Sequence, residues 1–285
     1  MVPGPAARPR LAVTLGDPRG IGPEVVDKAL AAPLAADVTL LGRTERGAGL
    51  TEERAGRVAG QAIEQAVRLA LAGSVDAIVT GPVHKHALHV AGYRYPGVTE
   101  FLAHLAGDVP VAMMLATGAL RVVLVTTHLA LRDVPAQLTT ERVIQAGRLA
   151  ADALRRWWGI AVPRLALCAL NPHAGEGGLF GDEDERVLRP AALALGAAGP
   201  LPADTVFVKA LRGDFDAVLA PYHDVGMTAV KVAGFGHGVN VTLGLPFIRT
   251  APDHGTAFDI AGTGTADAGS MRAALELAVR LAGRR

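Results

Sequence analysis

Short apolar runs alternate with longer amphipathic or alanine-rich stretches along the chain. Strands are predicted over 11–15, 38–41, 76–80, 111–117, 121–127, 164–170 and 216–220. Most carry Val, Leu and Ala on consecutive positions, the pattern of strands buried on both faces in a parallel sheet. Helices are predicted over 23–32, 53–72, 99–106, 140–158, 183–195 and 270–281. In the second of these Val58, Ile63, Val67 and Leu71 recur at near-helical spacing. Thr139 or Thr140 with a later acid, and Asp182 before Glu183, suit helix starts. Strand–helix alternation predicts an α/β fold with right-handed crossovers. No linker of low complexity and no internal repeat appears; the Gly-, Ala- and Pro-rich stretch 195–204 is expected to be a loop or hinge. The absence of a sharp boundary suits two domains that exchange strands.

Composition narrows the functional classes. The chain has 285 residues, 50% of them hydrophobic and 19% charged, enough apolar content for a large core and too much for disorder. With 28 basic against 27 acidic side chains the net charge is +1, which gives no electrostatic reason to expect nucleic acid or a membrane as partner. The single cysteine, Cys168, excludes a disulfide framework or a multi-cysteine metal site, and its apolar surroundings mark a core thiol. No apolar run reaches the length of a membrane span, and residues 1–5 lack the apolar core of a signal peptide, so a cytoplasmic protein is expected. The chain is sparing with some types: four lysines, two asparagines (Asn171, Asn240) and two serines.

Five constellations carry candidate chemistry. Three histidines each stand just past an apolar run: His128 after Thr126-Thr127, His173 after Asn171-Pro172, and His223 between Tyr222 and Asp224. Ligands of α/β sheets bind outside the carboxyl ends of strands. If the three strands share a direction, three imidazoles converge and can hold a divalent metal with a position left for water or substrate; otherwise each is an ordinary loop histidine. Gly16-Asp17-Pro18-Arg19-Gly20-Ile21-Gly22-Pro23-Glu24 joins the first strand and helix, either as an anion-holding turn or as a tight connection alone. Thr80 through Lys85 ends another strand with a lysine that could meet a carboxylate or phosphate or be merely solvated. Residues 171–178 combine Asn, His and Glu with glycines that let a ligand approach the backbone. Finally Lys231, Asn240 and Arg249, nine residues apart, offer an ammonium, an amide and a guanidinium to an anionic substrate, although Arg249 taken alone could equally be a surface ion pair.

These motifs, in this order over nearly the whole chain, resemble the PdxA family, the 4-hydroxythreonine-4-phosphate dehydrogenases of pyridoxal phosphate synthesis. The resemblance rests on 16–24, 80–85, Thr126 to Asp133, Asn171 to Gly178, Tyr222-His223-Asp224, and Gly238-Val239-Asn240 through Gly255-Thr256-Ala257. It implies two α/β/α domains around a cleft, like isocitrate and isopropylmalate dehydrogenases, approximately 1–125 plus 238–285 and 126–237. It implies a homodimer with its active site at the interface, NAD or NADP, and a divalent metal (Zn, Mg, Co or Mn). Metal falls on His128, His173 and His223; substrate contacts fall on Thr99, Lys231, Asn240 and Arg249. The stretch 253–262 resembles the adenosine loop of isopropylmalate dehydrogenases, implying dinucleotide contacts at His254, Gly255, Thr256 and Asp259.

The implied reaction oxidises a phosphorylated hydroxy acid, 4-phosphooxy-L-threonine first, to a β-keto acid that decarboxylates to 3-amino-2-oxopropyl phosphate. Two departures matter. Val98 replaces the histidine of the family's Gly-His-Thr-Glu-Phe and can neither hydrogen-bond nor carry charge. The chain is also shorter than typical members, with the deficit expected between Leu41 and Glu53. A paralogue acting on a phosphorylated four-carbon sugar acid or a cis-dihydrodiol dicarboxylate is therefore an alternative, as are a metal-dependent decarboxylase or lyase and a ligand-binding pseudoenzyme. No Ser/His/Asp triad is evident, and no catalytic proton acceptor is assigned.

Overall fold

A computed structural model describes residues 8–43, 47, 49–234 and 236–284. Parts of the expected deficit (44–46 and 48) and Phe235 lie outside the described residues. The chain divides into two compact units, 1–110 with 245–285, and 111–244.

In the first unit β1 (Arg10–Thr14), α1 (Gly22–Ala31), β2 (Asp37–Leu41), α2 (Glu52–Leu71), β3 (Ala77–Thr80), α3 (Lys85–Val90) and α4 (Val98–Leu105) follow one another. The order of its sheet is β2-β1-β3-β10, where β10 is Ile248–Pro252, and every neighbouring pair is parallel. Leu11, Ala12 and Val13 of β1 and Ala77, Ile78 and Val79 of β3 are fully buried, as consecutive apolar residues predict for a parallel strand covered on both faces. The C-terminal helix of the chain, Gly269–Ala282, packs on β10, β3 and α1, while α2 packs on β1, α3 and α4.

The second unit contains β4 (Ala112–Thr117), β5 (Leu120–Leu124), α5 (Val134–Gln137), α6 (Thr140–Arg156), β6 (Leu165–Cys168), α7 (Arg189–Leu195), β7 (Ala198–Leu201), α8 (Ala203–Leu211), β8 (Ala217–Ala220), α9 (His223–Ala233) and β9 (Val239–Leu243). The remaining helix, Gly269–Ala282, is thus α10. The strand order here is β9-β4-β5-β8-β6-β7. β4 runs antiparallel to both β9 and β5; β5, β8, β6 and β7 are mutually parallel neighbours. The wholly parallel sheet expected from composition is therefore interrupted at β4, because Gly118-Ala119 allows only a tight hairpin between β4 and β5 and leaves no room for a crossover helix. The same pairings hold β4, β5 and β9 within the second unit.

The predicted strands are found within a few residues. Three others are not foreseen by pattern: β7 (Ala-Gly-Pro-Leu), which turns part of the expected 195–204 loop into an edge strand, and β9 and β10 inside the long stretch after Lys231. β7 carries no β-branched residue, and β9 alternates Asn and Thr with Val, so neither shows the apolar run used to find the others. Cys168 is fully buried, and burial pushes its thiol up to about 12, in agreement with a core role. Among the described residues no helix is long and apolar enough to cross a membrane.

The first unit depends on close helix contact. Gly56 and Gly60 lie one turn apart on the buried face of α2; a Cβ on Gly56 would stand 1.9 Å from the Ala87 carbonyl oxygen, and one on Gly60 would stand 2.1 Å from the Tyr93 ring. Gly56→Ala gains about 1 kcal/mol of helix propensity but forces α3 away from α2, an overpacking cost of about 1–3 kcal/mol. Urea denaturation should show net destabilisation; a more stable Gly56→Ala protein would contradict this packing.

Candidate active site

In the second unit β5, β8 and β6 are adjacent and parallel, so their carboxyl ends share one edge. The condition for the three histidine loops to emerge side by side is met. Val125 N–H donates to Ala220 O at 2.9 Å, and Thr126 Oγ donates to Pro221 O at 2.7 Å, tying the first two loops together where they leave the sheet. The rings of His128 and His223 neighbour each other, tilted by 39° with centroids 5.8 Å apart. A hollow beside them is lined by Thr126, Thr127, Tyr222 and His223 with Leu129 and Leu131. His223 Nδ1 is 2.7 Å from Asp224 Oδ1, an arrangement that orients the ring and leaves Nε2 for a ligand.

His173 stands at the end of the next strand, β6, but on a different kind of loop. Residues His173 to Gly177 all have left-handed φ/ψ, and three of them, His173, Ala174 and Glu176, are not glycine. Left-handed backbone costs such residues about 1–2 kcal/mol each, so the turn is strained. Among the described residues no group of three or more His, Cys, Asp or Glu side chains is gathered as a metal cage. The donor chemistry suits a divalent ion at the His128–His223 pair, two imidazoles with one ring oriented by a carboxylate; His173 is the neighbouring imidazole on the same sheet edge.

Asn240 lies in β9, and its Oδ1 is buried without a hydrogen-bond partner. A buried orphan acceptor costs stability unless a ligand supplies the missing donor. Lys231 sits on α9, eight residues after His223.

In the first unit Arg249 of β10 is 4% exposed, and its Nε and Nη2 donate to Thr80 Oγ at 3.1 and 2.5 Å. Burial lowers this guanidinium to about 10, against a smaller opposing pull from Glu100. The charged form is therefore penalised at every pH below about 10, and the penalty eases only as pH rises toward the ordinary 12.5. Thr99 and Glu100 lie in the first turn of α4, which Val98 begins. Gly97 precedes it: a Cβ there would stand 2.9 Å from Glu100 Oε2 and 3.8 Å from Lys85 Cε, so Lys85 and Glu100 flank the same point.

The dinucleotide-loop expectation places His254, Gly255, Thr256 and Asp259 in a segment docked on the Gly16–Glu24 turn. Ile21 N–H donates to Thr256 O at 2.9 Å, and a Cβ on Gly20 would stand 2.7 Å from the same oxygen. His254 Nε2 is buried without a partner, while Asp259 is exposed.

A network missed in the sequence surrounds this docking point. Buried Asp17 accepts from Arg19 Nη2 at 2.9 Å. Arg19 lies over the Phe258 ring at 5.3 Å, and His84 meets the same ring edge-on at 5.1 Å. His84 and His86 each place Nδ1 3.1 Å from Glu52, which the hydrogen bond from His86 holds below the usual carboxylate range. These residues come from four separated segments, and the only sequence signal was that three of the segments carried singled-out motifs.

The family profile described as "Pyridoxal phosphate biosynthetic protein PdxA" matches residues 23–278. A Geobacter metallireducens protein named 4-hydroxythreonine-4-phosphate dehydrogenase is 44% identical over 98% of this chain and 97% of its own length. Their alignment spans 329 positions against 285 residues here, so the relative carries segments this chain lacks. A Bradyrhizobium diazoefficiens protein provisionally named D-threonate 4-phosphate dehydrogenase is 45% identical over 95% of this chain and 96% of its own. The crystal structure of 4-hydroxythreonine-4-phosphate dehydrogenase from Klebsiella pneumoniae superposes with a TM-score of 0.88 at 39% identity, covering 97% of this chain and all of that one.

The buried guanidinium makes a distinguishing prediction. Burial penalises the charged guanidinium, and an apolar chain of similar length carries no such penalty. If the guanidinium anchors an anionic substrate, Arg249→Met should keep or raise the thermal midpoint while lowering turnover about a hundredfold or more. A lowered midpoint would mean that the guanidinium serves the fold.

Proposed function

Because the chain belongs to the PdxA family, we propose that it is a metal-dependent, NAD(P)-linked dehydrogenase acting on a phosphorylated four-carbon hydroxy acid, with 4-phosphooxy-L-threonine as the first candidate. The product would be a β-keto acid that decarboxylates to 3-amino-2-oxopropyl phosphate. The observation that carries this reading is the neighbouring pair His128 and His223 beyond the ends of adjacent parallel strands, with His173 past the next strand end.

His128, His173 and His223 would hold the divalent ion. When bound, the ion supplies Lewis acidity that lowers the pKa of a substrate hydroxyl, and NAD or NADP accepts the hydride. The chain's own residues do the rest. Arg249 presents a desolvated cation and Lys231 a second one to the anionic ends of the substrate. Asn240 Oδ1 receives a donor from the substrate, which satisfies its orphaned acceptor. Thr99, in the first turn of α4, adds a hydroxyl, and the 254–259 loop serves the dinucleotide. The active form is a homodimer, testable by light scattering.

A second substrate reading has specific support. Relatives named for 4-hydroxythreonine 4-phosphate and for D-threonate 4-phosphate are equally similar to this chain, at 44% and 45% identity. The two compounds share the phosphate, the four-carbon acid and a secondary hydroxyl, and differ at the group next to the carboxylate. Val98 offers no hydrogen bond to that or any other group.

A panel of phosphorylated hydroxy acids, followed by the near-ultraviolet absorbance of the reduced nicotinamide, decides between them. His173→Ala and His128→Ala should each reduce metal-dependent turnover by about a hundredfold or more while leaving the fold intact. Undiminished turnover in a folded variant would remove the metal assignment, and no nicotinamide reduction with any member of the panel would remove the dehydrogenase reading.

A further inference from the structure

The left-handed turn that carries His173 lies against the side chain of Asp184. This side chain is fully buried, and its two oxygens take one backbone donor each: Leu170 N–H to Oδ1 at 2.8 Å and Asn171 N–H to Oδ2 at 3.0 Å. Those are the last two residues before Pro172-His173. Next to it Glu183 Oε2 accepts from Asn171 Nδ2 at 2.8 Å. The far side of the turn is pressed on the same carboxylate: a Cβ on Gly175 would stand 3.0 Å from Gly181 O and 3.7 Å from Asp184 Oδ2. Phe180 N–H closes the loop onto Gly175 O at 3.2 Å. Asp184 itself begins a π-helical turn, Asp184–Leu188, which is fixed to α6 by Thr140 Oγ donating to Val187 O at 3.1 Å.

Among the described residues Asp184 makes no ion pair, and these two amides are its backbone donors. An uncompensated buried carboxylate is costly, and the site keeps one where an asparagine would fit by volume. The reason lies in donor count. A carboxylate accepts two N–H groups at once, whereas an amide accepts one and turns an NH2 toward the other. Only the carboxylate closes both ends of this clamp.

We propose that Asp184 is a positioning residue for His173: by clamping Leu170 and Asn171 it holds the left-handed turn and so sets where that imidazole meets a divalent ion. This rests on the histidine reading given above. It predicts that the clamp governs ion affinity, where a merely structural acid would govern stability alone.

The test titrates the metal-free full chain with Co2+ and follows both the absorption of the bound ion and the far-ultraviolet circular dichroism. Wild type should bind, and His128→Ala should not. Asp184→Asn should keep a native dichroism spectrum but bind Co2+ at least about tenfold more weakly, the usual scale for groups that orient metal ligands. Adding Ala174→Gly to that variant removes the penalty of one left-handed residue, so part of the lost affinity should return. If Asp184→Asn does not fold, Asp184→Glu retains both acceptors one methylene farther out and should weaken Co2+ binding about threefold or more. A folded Asp184 variant with wild-type Co2+ affinity overturns the proposal while leaving the histidine site standing. A wild type that takes up no Co2+ overturns the histidine reading and this proposal with it.

Discussion

The parallel pairing of β5, β8 and β6 is the constraint on which the candidate site depends. Val122 pairs with Val218 and Leu165 with Ala217, so three chain segments separated by dozens of residues leave the sheet in one direction. Backbone hydrogen bonding, indifferent to the chemistry beyond the strand ends, decides that His128, Tyr222-His223 and Asn171-Pro172-His173 emerge on the same edge. An apolar core of Leu115, Val122, Leu124, Ala166, Cys168 and Val218 holds those strands in register. A cavity made there would act on the site through strand spacing, without touching a polar atom.

The two units hold their functional polarity in different ways. The second keeps imidazoles at a solvent-reachable edge and one orphaned amide oxygen on β9. The first buries a guanidinium whose charge is disfavoured where it stands. Both are local departures from what stability alone would choose, and such departures concentrate where ligands bind. The left-handed turn after Asn171 is a third, stored in backbone angles in place of solvation.

Much of this was legible in the sequence because buried parallel strands write themselves as consecutive Val, Leu and Ala, and a histidine after such a run is easy to see. Strand ends at Thr80 and Ala220 follow from that signal alone, while β5 and β6 stop at Leu124 and Cys168, short of the predicted 127 and 170. The antiparallel β4 was not legible, since it is as apolar as the parallel strands elsewhere in the sheet and direction is decided by the length of the connecting turn. β7 and β9 were hidden because an edge strand and a polar-alternating strand lack the apolar run. The Arg19–Asp17–Glu52–His84–His86 network was hidden for a different reason: its members are far apart in the chain, and ion pairs leave no periodic mark. Nor does spacing reveal that Asp184, eleven residues past His173, folds back beneath it.

The burial of Cys168 has a practical side. With its thiol pushed up to about 12 and no surface to offer, it is silent toward alkylating and disulfide-forming reagents while the chain stays folded. It is also the only cysteine in the sequence. The protein is in effect a blank background for site-directed labelling: a single cysteine introduced at exposed Leu179 would carry a fluorophore or spin label alone, with no native thiol to remove first.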